Sequence, residues 1–257
     1  MSEIIIDATT RHNAPYAIGL IINSNFFVYD SKYQVGVRVP SSEILRIECF
    51  NRGLLPEEEE GIDLLALLRP QLPSLRWQMT QLRQLAVLPL EERELIGEYA
   101  SHGSDTINND LVARPEQVAP LNTIIAQLPP LEQDIIVYRY IRKYELGGSL
   151  KSRSYLPPES GEYEYHSYLS TSFMSYLVIN QTACLGRGSR EIAAIMRIRV
   201  PKGTHCMAVP STIDRPEYEL LFPHQTRIRV DEKSQQVYVC DQGVEREFTT
   251  YDVTMLH

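Results

Sequence analysis

Three short stretches hold the residues whose types and spacing could do chemistry. Arg139 sits inside the apolar run IIVYRYI at 135–141. A guanidinium in such a run needs an anionic partner, because an unpaired buried charge is costly. It serves either a structural ion pair or a phosphate clamp, for which its planar two-pronged fork is suited. In Tyr168-Leu169-Ser170-Thr171-Ser172-Phe173 three adjacent hydroxyls lie between aromatics. They read equally as a strand end or as hydrogen-bond donors to a carboxylate and a ligand ribose. The third stretch, RPEYELLFP at 215–223, carries Glu217 and Glu219. In an extended segment both point to the same side, since side chains alternate with period 2. Two carboxylates leading into an apolar run repel each other unless a cation lies between them. Taken alone, a Glu-x-Glu pair is too common to be diagnostic.

Other chemistries lack their residues. No Gly-x-Gly-x-x-Gly turn follows a strand and no P-loop pattern occurs, which excludes those two phosphate cradles. Gly147-Gly148 and Gly186-x-Gly188 read as turns. The six histidines are scattered and no His-Glu-x-x-His appears, so no metal site is expected. A Gly-x-Ser-x-Gly nucleophile elbow is missing as well.

The elements that must position these residues fall into three regions. Residues 1–53 carry β-prone runs (3–7, 17–22, 26–30 and 33–39) broken by Asn, Ser and Pro, and predict a small sheet. Residues 54–135 switch to a helical period, with Leu64, Leu65, Leu67, Leu68, Leu72, Leu75, Leu82 and Leu85 punctuated by Pro70, Pro73 and Pro89. From 135 onward, runs at 135–141, 165–173, 192–200, 218–222, 226–230 and 236–239 predict strands separated by Pro and Gly. The run Glu57–Glu60 reads as a solvated loop or helix start, where anions are favoured.

Composition narrows the function classes. The chain has 257 residues, 43% hydrophobic and 23% charged, with a net charge of −8. These are ordinary globular values, consistent with one large or two small domains. The acidic total argues against broad binding to nucleic acid or an anionic membrane, but it is an average. Residues 54–100 hold nine acids against four arginines, whereas 186–230 hold eight basic residues against four acids. A local basic excess in the strand-rich part suits a small polyanion. Cys49, Cys184, Cys206 and Cys240 are far apart and form no ligand cluster; with no cleavable leader expected, they read as reduced. No stretch approaches the roughly 20 apolar residues of a membrane span.

In this order the three stretches resemble the Arg, Ser-Thr-Ser, Glu-x-Glu signature of mono-ADP-ribosyltransferases, the group that includes cholera-like and C2/iota-like toxins. The flanks agree: LIGEYASHGSDTINNDL at 95–111 resembles the family's helical stretch, VYR at 137–139 its first catalytic strand, and EYELLFP followed by TRIRV its third motif. The similarity covers roughly residues 85–235. Tyr140 stands where the family often has Gly. The resemblance implies an α+β fold, with two packed antiparallel sheets around an NAD cleft preceded by helices. It divides the chain into an N-terminal segment, 1–84, and a catalytic domain, 85–257.

The resemblance also implies roles. Glu219 would stabilise the positive charge that grows on ribose as nicotinamide leaves. Ser170 would hold Glu219 and the ribose, while Thr171 and Ser172 support the cleft wall. Tyr138 and Arg139 would bind the dinucleotide, and Phe173 or Tyr176 would stack on nicotinamide. Glu217, rather than Gln, points to arginine as acceptor, with 208–218 as the loop that contacts a host protein. Export without a cleaved N-terminal signal and action in the host cytosol follow from the same likeness; otherwise the protein is cytoplasmic. Two alternatives stay open: an NAD glycohydrolase, and a catalytically dead binding module of the same fold.

Overall fold

A computed structural model describes residues 18–22, 25–30, 35–55, 61–100, 115–142, 157–165, 167–183, 192–210, 218–240 and 243–256. The expected run at 3–7, Glu57–Glu60, both glycine pairs and all of 101–111 lie outside these residues. Three of the early β-prone runs form the predicted small sheet: β1 (Ile18–Ile22), β2 (Asn25–Asp30) and β3 (Val35–Val39). They pair antiparallel in that order.

After the last of the early β-prone runs comes α1 (Ser42–Asn51), a helix that the sequence pattern did not single out. Ser41 accepts from the Ile44 amide at 3.4 Å as N-cap, and Glu43 lies in the first turn, where the helix dipole favours an anion. Gly53, at φ 66°, supplies the left-handed residue that follows the helix. Leu45, Glu48, Cys49 and Arg52 share its buried face at helical spacing.

The leucine-periodic region folds as expected into α2 (Leu64–Leu68), α3 (Leu75–Ala86), α4 (Leu90–Glu98) and α5 (Pro115–Gln127). Asp63 and Ser74 cap α2 and α3. Pro89 immediately precedes α4, where its missing N–H costs nothing. Helix α3 fastens this layer to the rest. The Trp77 indole donates to the carbonyls of Pro129 and Pro130 at 3.1 and 2.9 Å. Gln81, fully buried, donates to the Cys206 carbonyl at 2.8 Å and accepts from the Ala208 amide at 3.0 Å. It thus satisfies backbone groups of an edge strand that would otherwise be open.

Eight strands form the main sheet: β4 (Ile135–Arg142), β5 (Gly161–Tyr165), β6 (Leu169–Ser172), β7 (Ile192–Val200), β8 (Met207–Ala208), β9 (Glu219–Phe222), β10 (Thr226–Val239) and β11 (Glu245–Met255). Their order is β5-β10-β11-β7-β4-β6-β9-β8. Neighbours run antiparallel except β7 and β11, which are parallel. The separate runs at 226–230 and 236–239 merge into β10. The sequence pattern did not single out β11 or α6 (Ser175–Ala183). β4 pairs with β7 from Ile135 opposite Val200 to Arg142 opposite Ile192, yet meets β6 at the single pair Tyr138–Ser172. The ladder is therefore continuous but jointed, with five strands on one side of the joint and three on the other.

One core serves both leaves and the early helices: Val137, Ile198, Leu220 and Val253 pack in the same cluster as Leu45, Leu68 and Trp77. Cys49 and Cys206 lie within this cluster and Cys240 in a separate one around Tyr138 and Tyr238; none of the three is in a disulfide. Burial, reinforced by Glu48 and opposed by Arg52, pushes the Cys49 thiol up to about 11. Burial alone pushes Cys206 well above the ordinary thiol value. Cys49 and Cys206 should therefore resist iodoacetamide at pH 8 and react after unfolding in guanidinium, as read by peptide mass mapping. Because the fold favours the neutral Cys49 thiol, its contribution to stability is complete below the ordinary value of 9.0 and is lost as pH rises through about 11.

Candidate active site

The joint between the two leaves is where the chemistry-bearing residues meet. β6 pairs with β9 so that Ser170 faces Leu221 and Ser172 faces Glu219, which puts Glu219 diagonal to Ser170. The Ser170 hydroxyl donates to Glu219 Oε1 at 2.5 Å, a charge-assisted contact of the short kind. From β4, Arg139 Nη1 donates to the Ser170 carbonyl at 2.9 Å. Arg139, Ser170 and Glu219 are thus brought into one hydrogen-bonded chain. All three are half-buried, a setting that leaves them open to a ligand.

The neighbouring hydroxyls face backbone. Thr171 Oγ1 donates to the Leu220 carbonyl at 3.0 Å, locking β6 to β9. Ser172 Oγ accepts from the Met174 amide at 3.1 Å and so shapes the turn that ends the strand. Phe173 is buried, its ring edge-on to Tyr218 at 5.2 Å between centroids. Its amide donates to the Tyr218 carbonyl at 3.2 Å.

Two expectations from the sequence need correction or restriction. Tyr218 has φ 48°, a left-handed conformation that is unusual for a bulky residue. The chain is therefore not extended between Glu217 and Glu219, and period-2 alternation does not carry across them. Glu217 itself lies outside the described residues, as does most of the 208–218 loop. The Tyr138 backbone forms the rung of the joint, but its side chain does not join Arg139. Alternation sends it to the other face, where it is fully buried with Val178, Ile179, Ile195 and Tyr238. Its ring lies under the Arg52 guanidinium, 5.0 Å from the centroid.

Sequence reading missed two residues beside Arg139. The Arg139 guanidinium lies 5.6 Å from the centroid of the Tyr165 ring, within cation–π range. The Tyr163 hydroxyl is buried with no hydrogen-bond partner among the described residues. Burial pushes its pKa well up, Tyr165 adds to that, and Arg139 opposes it. The available signal was the alternation in GEYEY at 161–165, which sets both tyrosines on one face of β5. Among the described residues no three His, Cys, Asp or Glu side chains gather as metal ligands. No helix there is long and apolar enough to cross a membrane.

The sequence model of the ADP-ribosyltransferase exoenzyme family matches residues 74–254. Among solved structures, the enzymatic component C2-I of the C2 toxin from Clostridium botulinum aligns with a TM-score of 0.52 at 14% identity, covering 72% of this chain and 48% of that one. The ADP-ribosylating toxin BECa of a binary enterotoxin of C. perfringens, solved with NADH, aligns with a TM-score of 0.54 at 18% identity, covering 70% and 47%. The chain spans about half the length of these two proteins, and at such identities the likeness is one of fold. No curated protein sequence matches.

The geometry separates the two hydroxyls by what each would leave behind. Thr171→Val strips a donor from a buried contact and should cost about 1 kcal/mol in urea unfolding. Ser170→Ala should cost less, because the half-buried Glu219 carboxylate can turn to water.

Proposed function

This chain belongs to the ADP-ribosyltransferase exoenzyme family, and from that premise we propose that it is a mono-ADP-ribosyltransferase acting on an arginine of a host protein. The observation that carries the reading is the Arg139–Ser170–Glu219 chain at the joint of the sheet. NAD supplies the ADP-ribosyl group through the bond between nicotinamide and ribose. The residues at the joint suit such a donor: a half-buried guanidinium, a serine hydroxyl and one carboxylate in a single hydrogen-bonded chain.

Glu219 faces the positive charge that develops at the ribose carbon as nicotinamide departs, and its carboxylate stabilises that charge where it grows. Ser170 fixes the carboxylate by donating to Oε1 and offers its own oxygen to a ribose hydroxyl. Arg139 holds phosphate or ribose oxygens through its guanidinium, orienting the dinucleotide. Thr171 and Ser172 keep the wall in place through the Leu220 carbonyl and the Met174 amide. Phe173 and Tyr176 are the aromatics from which a nicotinamide-stacking partner would come, and Tyr138 supports the site from behind β4.

The arginine acceptor rests on Glu217 two positions before Glu219, a placement that suits recognition of a guanidinium. The catalytic domain is taken as 85–257 and residues 1–84 as an accessory segment; all three residues of the carrying observation fall in the former. Export without a cleaved signal and action in the host cytosol belong to the same proposal. They are supported by the toxin character of the structures with a similar fold and by the buried free thiols.

Labelled NAD incubated with the protein and host-cell lysate should mark a protein on arginine; label on no arginine in any lysate would overturn the acceptor assignment. Nicotinamide release at an unchanged rate without added protein would favour the hydrolase alternative. Glu219→Gln should lower turnover by roughly two to four orders of magnitude while NAD still binds. Arg139→Ala should chiefly weaken NAD binding, seen as a smaller NAD-induced rise in melting temperature.

A further inference from the structure

We infer that the buried Glu48–Arg52 pair of α1 positions the turn after Ser-Thr-Ser, and with it Ser170 against Glu219, for the reaction proposed above. The pair lies before the stretch that matches the family, and both side chains are 0% exposed, 3.2 Å apart. Two charges in such a place carry a large desolvation cost, and a well-packed apolar pair would hold the core as firmly. What an apolar pair could not supply is direction, and one polar atom of each residue, Glu48 Oε1 and Arg52 Nη2, is aimed at one short segment.

Glu48 Oε1 accepts from the Tyr176 amide at 2.5 Å and from the Ser175 hydroxyl at 2.9 Å. Tyr176 is the second residue of α6, whose first amides have no partner within the helix. A carboxylate there both caps the helix and complements its dipole. Arg52 Nη2 donates to the Phe173 carbonyl at 2.7 Å, while Nη1 reaches Gln71 at 3.2 Å and the guanidinium covers Tyr138. Between them Asn51 donates to Ser175 Oγ at 3.0 Å and accepts from the Val239 amide at 2.7 Å, referring the same segment to β10.

Residues 173–176, which directly follow Ser172, are therefore gripped at a carbonyl, a hydroxyl and an amide by three residues more than 120 positions earlier. On the opposite side the Phe173 amide is held by the Tyr218 carbonyl, one residue before Glu219. The turn thus sits between α1 and the strand that carries the carboxylate. A shift of α1 would move Ser170 relative to Glu219 although neither Glu48 nor Arg52 reaches the substrate; these are positioning residues.

The test uses the full chain carrying Glu48→Leu with Arg52→Met, which removes both charges and keeps the volume. The double variant should melt cooperatively. Its Tyr176 amide should exchange at least about 10-fold faster relative to amides of β7, because its cap is gone. The kcat of NAD-dependent nicotinamide release should fall roughly 10- to 100-fold, the scale of a misplaced reacting group, with KM for NAD changed less than about 3-fold. A folded variant with wild-type kcat, or one altered in KM alone, overturns the inference. If the double variant does not fold, Arg52→Lys decides. One ammonium cannot serve both Glu48 and the Phe173 carbonyl, so the same kcat-selective loss is expected, and wild-type kcat overturns the inference. If the unmodified chain releases no nicotinamide, the functional reading falls separately. The Tyr176 exchange then decides on positioning alone: faster exchange supports it and unchanged exchange overturns it.

Discussion

The single rung at which β4 meets β6 is the constraint around which the site is organised. Had the two strands paired along their length, ladder hydrogen bonds would have closed the space between them. With only Tyr138 and Ser172 in register, the strands diverge and leave polar backbone exposed on the inside of a bend. The Ser170 carbonyl is met there by a guanidinium, and that arrangement brings Arg139 to the same residue whose hydroxyl holds Glu219. A structural need, satisfying backbone groups at a joint, and a chemical one, gathering a cation, a hydroxyl and a carboxylate, are met by the same three residues.

Much of the sheet and its key residues was legible in the sequence because the signals are local. β7 matches its apolar run residue for residue, and the hydroxyl cluster and Glu219 both fall in runs expected to be strands. What escaped was set by tertiary context. α1 reads as mixed polar sequence because its buried face carries Glu48 and Arg52 along with Leu45 and Cys49, so its apolar stripe is broken by charge. β11 is rich in Thr, Glu and Asp, yet it is held between two neighbours and buries Thr250 completely. The resemblance implies a binding role for Tyr138 together with Arg139, whereas strand alternation sends their side chains to opposite faces of the sheet. The left-handed turn at Tyr218 has no Gly or Asn to announce it.

The acidic net charge also acquires a physical layout. Two of the charges that sequence would assign to the surface, Glu48 and Arg52, are in the interior and cancel there. On the strands, Arg197 pairs with Asp252 and Arg227 with Glu162.

The order of the strands has a consequence for how the chain assembles. β11, the last strand in sequence, lies in the interior of the sheet, between β10 and the parallel strand β7. Until residues 245–255 are in place, β7 and the β4–β6–β9 leaf have no ladder to β10 and β5, and the two parts are tied only by chain. Parallel pairing between segments some fifty residues apart in sequence closes a long loop before it gains any contact, which makes it an intrinsically slow step. A ribosome that makes this chain must release it through residue 255 before the sheet can close. Until then the apolar faces of β4 and β7 remain available to a chaperone.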